Sequence, residues 1–484
     1  MSRYEPVIGL EIHAQIHTAS KMFCACPVVE DTGDLPPNTY VCPICTGMPG
    51  TLPVINQRAV ELTILTGLAL NCEISPVSRF ARKSYFYPDL PKGYQISQHA
   101  LPLARHGHLD IEVDGVRRRV RINNVHLEED TGKLYHVGGV SLVDFNRAGV
   151  PLMEIVTEPD MHSAEEVRVF ATRLREILIY LGINSGDMEK GVMRFEASVS
   201  VRPAGTDILP PRHEIKNLNS FRALTRAVAY EIARQIEILE SGGEVRQETM
   251  GWDEVRGTTY TQRTKEYAHD YRYFPEPDLP PLEVSREWVE DLRQQLPELP
   301  EARRARLIED HGLGAVEAGL LVEDKAVADF YEAALAVGGV APKTLAHWIT
   351  GDLFRLMKES HRGITEIPIS PEGLVELIQY VERGTVNLNT GREILEEMAA
   401  TGKRPGQIIE EKGLSQISDE ATLRQVIEKV LDQHPDQVQQ YLGGKIQVAG
   451  WLMGQVMKAT RGRANPHQVR SLLNEALEHR RSSG

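Results

Sequence analysis

Long apolar runs and a leader-like N-terminus are both lacking in this chain. No apolar stretch reaches about 18 residues, the length that a membrane-spanning helix needs, and the first residues show no basic segment followed by an apolar one. We therefore expect neither membrane insertion nor secretion, and we expect a cytoplasmic protein. Positive charge is also scarce, since 54 Lys and Arg stand against 68 Asp and Glu and the net charge is -14. This balance argues against a protein that coats nucleic acid indiscriminately, although a local basic patch could still bind RNA.

Cysteine is scarce as well, with five residues in the chain of 484. Four of them form two short pairs, Cys24-x-Cys26 and Cys42-x-x-Cys45. Disulfides are rare in cytosolic proteins, whereas two such pairs suit a closed tetrahedral Zn²⁺ site. We therefore predict a structural zinc knuckle over about residues 22–50, which would hold together a segment too rich in Pro and Gly to form its own core. The alternative is four buried reduced thiols, and Cys72, which stands apart in sequence, is expected in the core.

Near the N-terminus, residues 7–17 alternate strictly between apolar and polar side chains. As a β-strand this segment sends to opposite faces two sets of residues: Leu10, Ile12, Ala14 and Ile16, and Glu11, His13, Gln15 and His17. Glu and His two residues apart on one face combine a ligand type for hard cations with a proton carrier. A merely solvated strand face more commonly carries Thr, Lys, Ser or Arg.

Further carboxylates recur on short apolar segments, which are Val125–Asp130, Pro151–Pro159 and Arg194–Ser200. Several acids in one cleft repel one another and raise each other's pKa unless a cation neutralises them. The sequence therefore predicts a divalent-metal site, with Mg²⁺ as the expected ion, in a β-rich first half.

At 54.2 kDa the chain is too long for a single core, so we expect two or three domains. Up to about residue 285 strands and turns dominate, and Asp114-Gly115 between apolar runs predicts a two-residue hairpin turn. Helical patterns over Ala164–Leu181 and Phe221–Leu239 interrupt the strands. We predict an α+β domain over residues 1–295, with helices set against a large antiparallel sheet.

The proline-rich segment Leu296–Pro300 then breaks the chain, and helical periodicity follows. A second boundary near Arg404-Pro405-Gly406 separates an all-helical domain, residues 296–408, from a small helical tail, residues 409–484. In the tail we predict a helix around Leu423–Leu431 and a single helix from Asp436 to Ala459.

The last part of the tail, from Lys458 to Gly484, has six basic residues and two acids. Lys458, Arg461 and Arg463 lie in a basic loop between helices, which is suited to phosphate contacts. The alternative is a solvated helix end, whose cations face the negative pole of the helix dipole.

Two segments echo each other, Lys83–Gln95 and His269–Pro280. Both set aromatic residues before Pro, followed by Asp-Leu-Pro. Such rigid loops can hold a planar ligand at little entropic cost, with Lys83, Lys92 and Arg272 available for phosphate. The alternative is that aromatic-Pro loops only cap a sheet edge.

Several of these segments together resemble a known family. They are Gly9–His13, Tyr85–Gln95, Glu128–Asp130, Glu214–Ser220, His269–Pro280 and Gly454–Thr460. In this order they are similar, over nearly the whole chain, to the B subunit of the aspartyl/glutamyl-tRNA(Asn/Gln) amidotransferase. The resemblance implies a cradle-like catalytic domain, a helical domain and a tail similar to the stand-alone YqeY proteins. It also implies that ATP phosphorylates the side-chain carboxylate of Glu on tRNA(Gln) or Asp on tRNA(Asn), and that ammonia displaces the phosphate to leave an amide.

The resemblance also implies residue roles. The expected Mg²⁺ ligands are Glu11, His13, Glu128 and Glu154, with Glu196 less certain because relatives commonly have Asp there. Strand alternation favours Glu128 over Glu129. The first four ligands are also catalytic candidates, together with Lys216 and Arg272. Nucleotide or substrate binding is expected at Lys83, Tyr85, Lys92, Asn217, His269 and Tyr271, and tRNA binding at Lys458, Arg461 and Arg463. The chain departs from the family pattern at Ser84, Ser198 and Tyr267, where we expect Asn, Asn and Glu.

Two catalytic motifs are absent from the sequence. There is no G-x-x-x-x-G-K-[ST] loop, so ATP must be held by an unconventional site. There is also no Ser-Ser-Lys amidase signature, and the paired cysteines are assigned to zinc. The chain therefore has no means of making ammonia, which the family obtains from a glutaminase subunit, together with a small third subunit, through an internal tunnel. We expect a heterotrimer that binds misacylated tRNA, and an aminoacyl-tRNA synthetase is a further candidate partner.

Two other functions fit parts of the pattern. The carboxylate and histidine constellation alone would suit a freestanding Mg²⁺-dependent phosphohydrolase. The basic tail and the cysteine pairs alone would suit a zinc-stapled tRNA-binding adaptor without catalysis.

Overall fold

The computed structural model describes residues 3–29, 35–264, 271–414, 420–460, 464 and 466–482. The chain forms two compact units, Met1–Pro300 and Glu301–Gly484. In the described residues the first unit combines strands and helices, and the second is helical. The α+β class predicted for the first half is confirmed.

The first unit contains sixteen strands among its described residues: β1 (Tyr4–Gln15), β2 (Glu73–Ile74), β3 (Val77–Ser78), β4 (Ala81–Ser84), β5 (Tyr94–Ser97), β6 (Ala104–Val113), β7 (Val116–Glu129), β8 (Lys133–Val137), β9 (Val140–Asp144), β10 (Pro151–Thr157), β11 (Met193–Pro203), β12 (His213–Leu218), β13 (Glu248–Asp253), β14 (Thr258–Thr264), β15 (Phe274–Pro275) and β16 (Leu282–Glu283). Its helices are α1 (Gln57–Ala69), α2 (Ala164–Tyr180), α3 (Phe221–Glu240) and α4 (Arg286–Arg293).

One large sheet organises the first unit, and it has twelve strands among the described residues. Its order is β14-β13-β12-β11-β1-β10-β7-β5-β4-β15, with β6 paired to β7 and β2 paired to β6. All of these pairings are antiparallel except β12 with β13. Strand β1 is therefore central, with β10 on one side and β11 on the other.

The predicted alternation of β1 is confirmed. Leu10, Ile12 and Ala14 are buried in the hydrophobic core, which α1, α2 and α3 complete from one side of the sheet. Glu11 and His13 are only half-buried on the opposite face. One face of this strand thus packs, and the other is available for chemistry.

The predicted hairpin turn at Asp114-Gly115 joins β6 to β7. Both turn residues have positive φ angles, 52° and 74°, as a two-residue turn matched to strand twist requires. The predicted helices also form, and each begins at a serine whose side chain accepts a backbone hydrogen bond, Ser163 for α2 and Ser220 for α3.

The second unit contains α5 (Pro300–His311), α6 (Ala315–Val322), α7 (Lys325–Val337), α8 (Pro342–His347), a π-helical turn (Trp348–Leu353), α9 (Phe354–Ser360), α10 (Pro371–Glu382), α11 (Leu388–Thr401), α12 (Pro405–Lys412), α13 (Glu420–Gln433), α14 (Pro435–Leu442), α15 (Val448–Ala459) and α16 (Pro466–Ser482). Buried residues of α13, α14, α15 and α16 form a separate small core. Every helix within the described residues is too short or too polar to cross a lipid bilayer.

The prediction of a single helix from Asp436 to Ala459 is wrong. The chain forms α14 and α15 instead, with a break at Gly443-Gly444. Gly444 has a φ of 101°, which L-residues with side chains rarely adopt, so the helix cannot continue through it.

Candidate functional site

Three neighbouring strands of the sheet bring a row of polar side chains together. In the register of β1, β10 and β7, Glu154 lies directly opposite His13 on one side and His126 on the other. Glu11 and Glu128 lie two residues along β1 and β7 from these histidines, and therefore on the same face. The row depends on pairing between segments more than 100 residues apart, because residues 16–150 separate β1 from its partner β10.

His13 is the centre of this group. Its Nε2 lies 3.8 Å from Oε1 of Glu11, 3.5 Å from Oε1 of Glu128 and 3.3 Å from Oε2 of Glu154. Ligand atoms within 4.8 Å of one another make two sets, Glu11 with His13 and Glu154, and His126 with Glu128 and Glu154. Four of the five predicted metal ligands therefore meet around His13.

The electrostatics of the group differ from one carboxylate to the next. Burial would raise the pKa of Glu154, but His126 and His13 lower it. Burial and the nearby carboxylates of Glu154 and Glu196 raise the pKa of Glu11 to about 7. Burial alone would lower the pKa of His13, but its bonds to Glu128 and Glu154 raise it above the usual value. A cation among these side chains would relieve the repulsion, which is the arrangement expected of a divalent-metal site.

Glu196 is close to this group but not in either set. It lies opposite Glu11 in the register of β1 and β11, and its carboxylate is ion-paired with the ammonium of Lys216. Lys216 also lies 3.9 Å from Glu214. Of the five predicted ligands, Glu196 is thus the one directed to a lysine.

Glu128 and Glu129 point in different directions. Oε2 of Glu128 accepts a hydrogen bond of 3.3 Å from Ser97 on the same side as His13. Glu129 forms an ion pair with Lys92 and accepts a 2.9 Å hydrogen bond from the backbone N–H of Ile96. Lys92 therefore lies apart from the His13 group, beside the cysteine cluster described below.

A cavity of about 520 Å³ opens on the row. Its lining includes Glu11, Lys83, Glu154, Lys216, Tyr271 and Tyr273. A second cavity of about 200 Å³ adjoins the same group and includes Tyr85, Glu128 and Asn217. The cavities are large enough for a polar ligand in contact with the carboxylates.

Lys83 is the cation that faces this cavity from β4. Burial opposes its charge, but the carboxylates of Glu128 and Glu154 outweigh burial and raise its pKa. Its Nζ lies 5.2 Å from the ring centre of Tyr271. A permanently charged ammonium here would favour an anionic ligand.

The two echoing aromatic-Pro segments lie side by side. Strand β15 pairs with β4, and the backbone N–H of Ser84 donates a 2.9 Å hydrogen bond to the carbonyl of Tyr271. The rings of Tyr85 and Tyr271 meet edge to face at 6.1 Å, and Tyr273 stacks on His99 at 4.0 Å. Because β15 ends the strand order, the segment caps a sheet edge and also walls the cavity.

Of the remaining predicted residues, Arg272 is described by the structure and four others are not. Arg272 follows Tyr271 and has a positive φ of 46°. His269, Tyr267, Arg461 and Arg463 lie outside the described residues.

Sequence reasoning did not select His126 or Asp130 as site residues, although both share a strand face with Glu128. The buried carboxylate of Asp130 bonds to Gln15 at 2.8 Å and Arg194 at 3.2 Å. Burial would raise its pKa, but Arg194 and Arg147 lower it to about 2. The mirrored spacing of Glu11-x-His13 and His126-x-Glu128 was the signal available for His126.

Comparisons with known proteins show which family this chain belongs to. Residues 6–290 match the family model of the GatB/GatE catalytic domain, and residues 329–477 match the model of the GatB domain. The chain belongs to the GatB family. Proteins named as the B subunit of aspartyl/glutamyl-tRNA(Asn/Gln) amidotransferase are similar over nearly their whole length. That of Thermomicrobium roseum is 53% identical, with 98% of this chain and 99% of the relative covered. Those of Thermodesulfovibrio yellowstonii and Moorella thermoacetica are 50% and 51% identical, each with 98% of this chain and 100% of the relative covered.

In this GatB chain the four paired cysteines converge. Sγ of Cys45 lies 4.0 Å from that of Cys26 and 3.9 Å from that of Cys42, and the Sγ atoms of all four lie within 4.8 Å of one another. A hydrogen bond from Cys24 lowers the pKa of Cys45 to about 4, against the effect of burial. The cluster could hold a metal ion, as the sequence predicts.

A buried lysine accompanies the cysteines. Lys21 is 1% exposed, and its Nζ lies 2.8 Å from the carbonyl of Tyr40 and 3.7 Å from Sγ of Cys45. A buried ammonium needs a nearby negative charge. Thiolates in this cluster would supply it.

In the tail, Lys458 is exposed at the end of α15. Arg480 is instead ion-paired with Glu428 and Asp432, and it lies in the last turn of α16. Arg480 therefore fits the alternative given above, in which a cation lies at the negative pole of a helix dipole.

Proposed function

We propose that this chain is the subunit of a tRNA-dependent amidotransferase that activates and amidates the amino acid on misacylated tRNA. The substrates would be Glu-tRNA(Gln), Asp-tRNA(Asn) or both, with ATP as phosphoryl donor and ammonia as nucleophile. Membership of the GatB family supports the proposal, and so do the names of its relatives. The observation that carries it is the convergence of Glu11, Glu128 and Glu154 on His13 beside a cavity.

The residues present fit Mg²⁺. Three carboxylates offer hard oxygen ligands and one imidazole adds a nitrogen donor. Burial and the neighbouring carboxylates raise the pKa of Glu11, and a bound cation would offset both effects. Glu11, His13, Glu128 and Glu154 would hold the ion, and Glu196 would act through its ion pair with Lys216. When bound, Mg²⁺ neutralises phosphate charge and orients the transferred phosphoryl group.

The remaining side chains bind and orient the reactants. Lys83 would neutralise phosphate oxygens within the cavity, and the rings of Tyr85 and Tyr271 would form its rigid walls. Lys216 and Asn217 on β12 would contact the substrate carboxylate from the opposite wall. We retain Lys92, His269 and Arg272 as further nucleotide or substrate contacts.

We propose that the four cysteines bind a structural Zn²⁺. Four thiolates around Zn²⁺ leave a net charge of about -2, and the buried ammonium of Lys21 would offset half of it. The ion would hold the segment between β1 and α1, which contains no strand or helix in its described residues.

We further propose three functional regions and several partners. A catalytic region, residues 1–295, precedes a helical region, residues 296–408, and a tRNA-binding tail, residues 409–484, in which Lys458, Arg461 and Arg463 contact phosphates. A glutaminase subunit, which delivers ammonia, and a small third subunit would complete a heterotrimer. A synthetase that supplies the misacylated tRNA is a further candidate partner.

The test is reconstitution with the glutaminase and the small third subunit. Glutamine, ATP and each misacylated tRNA are added with and without Mg²⁺, and amide formation is followed. We expect Mg²⁺-dependent amide formation, and we expect His13→Ala to lower it by at least about 100-fold while tRNA binding persists. Undiminished amidation by His13→Ala would favour an adaptor without catalysis, and full ATP hydrolysis by the lone chain would favour a phosphohydrolase.

A further inference from the structure

Tyr271 and Tyr273 form an aromatic wall of the cavity of about 520 Å³, and little backbone pairing supports this wall. Strand β15, which follows it directly, has two residues. One of them is Pro275, which has no backbone N–H to donate to a neighbouring strand. Backbone hydrogen bonds of 2.9 Å at Ser84 and Glu276 flank the strand. Backbone pairing alone is therefore a short tether for the wall.

The backbone within the aromatic wall is strained. Arg272, between the two tyrosines, has a φ of 46°, in the left-handed region that residues with a side chain rarely adopt. Such a conformation persists only where its surroundings hold it in place. The ring centres of Tyr271 and Tyr273 lie 5.9 Å apart. To keep both rings in this arrangement, the chain on either side of Arg272 must be held in place.

A buried ion pair supplies a stronger tether after β15. The side chain of Glu276 is 0% exposed, and its carboxylate accepts hydrogen bonds from Nε and Nη2 of Arg82 on β4, at 2.7 and 2.8 Å. Two parallel bonds of this kind fix direction as well as distance. The same carboxylate accepts a 3.0 Å bond from the backbone N–H of Asp278, whose own carboxylate accepts a 3.2 Å bond from Arg82. The pair therefore fastens the chain after the wall to the strand that carries Lys83.

Aromatic rings hold Arg82 in position. Its guanidinium carbon lies 4.1 Å from the ring centre of Tyr94 and 5.7 Å from that of Phe274, both within the range of cation–π attraction. A guanidinium held by two rings and a carboxylate has few alternative positions. Arg82 is thus a fixed point to which Glu276 is attached.

The Arg82–Glu276 pair lies outside the cavity. Successive residues of a strand point to opposite faces, so Arg82 points away from the cavity that Lys83 lines. The described linings of both cavities beside His13 include neither Arg82 nor Glu276. Any effect of the pair on a bound ligand must therefore pass through the aromatic wall.

We propose that Arg82 and Glu276 are positioning residues, which hold the aromatic wall against a bound nucleoside triphosphate. Lys83 connects the wall with this ligand, because its Nζ lies 5.2 Å from the ring centre of Tyr271. A phosphate bound by Lys83 therefore places the rest of the same ligand within reach of the ring. This inference rests on the proposed function, in which ATP is the phosphoryl donor.

The test is steady-state kinetics of the reconstituted complex with Glu276→Gln, which keeps the size of the side chain and removes its charge. We expect the KM for ATP to rise about 10-fold, because a displaced wall loses part of its stacking on the nucleotide. The kcat at saturating ATP and the KM for misacylated tRNA should stay within about twofold of wild type. The dissociation constant of adenosine 5′-(β,γ-imido)triphosphate, measured by calorimetry without turnover, should rise by the same factor as the KM for ATP.

Two further variants test whether the pair acts through the wall. Arg82→Lys keeps the positive charge and loses the two parallel bonds, so the KM for ATP should rise less, by about 3-fold. In a chain that already carries Tyr271→Ala and Tyr273→Ala, Glu276→Gln should not weaken nucleotide binding further, because the wall through which it acts is gone. An undiminished effect of Glu276→Gln in that chain would contradict a positioning role.

Glu166→Gln is the matched control. This buried carboxylate of α2 pairs with Arg118 on the face of the sheet opposite the cavity, so the variant should lower thermal stability and keep the wild-type KM for ATP. An unchanged KM for ATP in Glu276→Gln, a rise confined to the KM for tRNA, or the same rise in Glu166→Gln would each overturn the proposal. A wild-type complex that forms no amide, with nucleotide binding still weakened by Glu276→Gln, would refute the proposed function instead.

Discussion

At the scale of single residues, the adjacent acids Glu128 and Glu129 have different environments. Alternation along β7 puts them on opposite faces, so the sequence could favour Glu128 as the residue that shares a face with other acids. The partner of Glu129 could not be predicted. Lys92 reaches it only because β5 pairs with β7 at Ser97 and Glu128, a register set by tertiary packing.

We therefore expect Glu128→Gln to impair mainly activity and Glu129→Gln to impair mainly stability. We expect Glu128→Gln to lower amide formation by the reconstituted complex at least about 100-fold and to leave thermal stability near wild type. Glu129→Gln leaves the half-buried ammonium of Lys92 without its countercharge, so it should lower stability by about 3 kcal/mol and retain most activity in the folded fraction. Paired activity and thermal unfolding measurements check this, and equal activity losses would contradict it.

At the scale of elements, periodicity predicted β1, the hairpin between β6 and β7, and helices α2 and α3, because each has a local pattern with a clear stop. The prediction of a single helix from Asp436 to Ala459 was wrong. It followed the apolar spacing of this segment and gave too little weight to Gly443-Gly444, where the helix breaks. Strand order and the row of Glu154 between two histidines could not be read from the sequence, since both depend on pairing between distant segments.

The strand that carries Lys216 and Asn217 is anchored by a buried ion network. Glu231 of α3 is 0% exposed and is bonded to His213 of β12 and to Arg234. Burial would raise the pKa of Glu231, but His213 and Arg234 lower it to about 2. The network thus fixes α3 against β12.

Glu231→Gln should lower the free energy of unfolding by about 3 kcal/mol at neutral pH. Because the folded pKa lies below the unfolded value of about 4.3, this contribution is fully present above the unfolded pKa and is lost as the pH falls toward about 2. The difference from wild type should be constant from pH 8 to about 5 and shrink below that, as urea titrations would measure. Glu237→Gln, an exposed change on the same helix, is the control, and a difference that grows with acidity would contradict the account.

The cysteine cluster is expected to hold together a segment that has no secondary structure of its own. Cys45→Ser should abolish the zinc that elemental analysis finds in the purified chain, and it should expose residues 21–53 to protease, because the described part of this segment has no strand or helix to hold it. Cys72→Ser is the control. Cys72 lies in the main hydrophobic core, so this variant should lose stability but keep one zinc ion per chain. Equal zinc contents in all three proteins would contradict a zinc knuckle.

At the scale of the whole molecule, an acidic chain is proposed to bind an acidic polymer through a small basic surface. Lys458 is exposed on α15, whereas Arg480 is ion-paired within the tail. The sequence could locate the basic excess but not distinguish paired from exposed cations, because the acids that pair with Arg480 lie on a different helix.

Lys458→Ala should therefore weaken tRNA binding at low salt and reduce the slope of log affinity against log salt concentration by about 0.7 to 1. Lys429→Ala, an exposed lysine of α13, should change neither. Filter binding over a series of salt concentrations would measure both quantities. A slope unaffected by Lys458→Ala would remove this residue from the tRNA interface.

The central claim is that the His13 group supports phosphoryl transfer to the side-chain carboxylate of the amino acid on tRNA. Phosphorylation joins a carboxylate oxygen to phosphorus, and displacement by ammonia releases that oxygen with the phosphate. The decisive measurement uses misacylated tRNA whose side-chain carboxylate is labelled with ¹⁸O, and analyses the inorganic phosphate by mass spectrometry. We predict one ¹⁸O per phosphate for the wild-type complex and loss of this transfer in His13→Ala. Amide formation with unlabelled phosphate, or transfer at the wild-type rate in His13→Ala, would contradict the account.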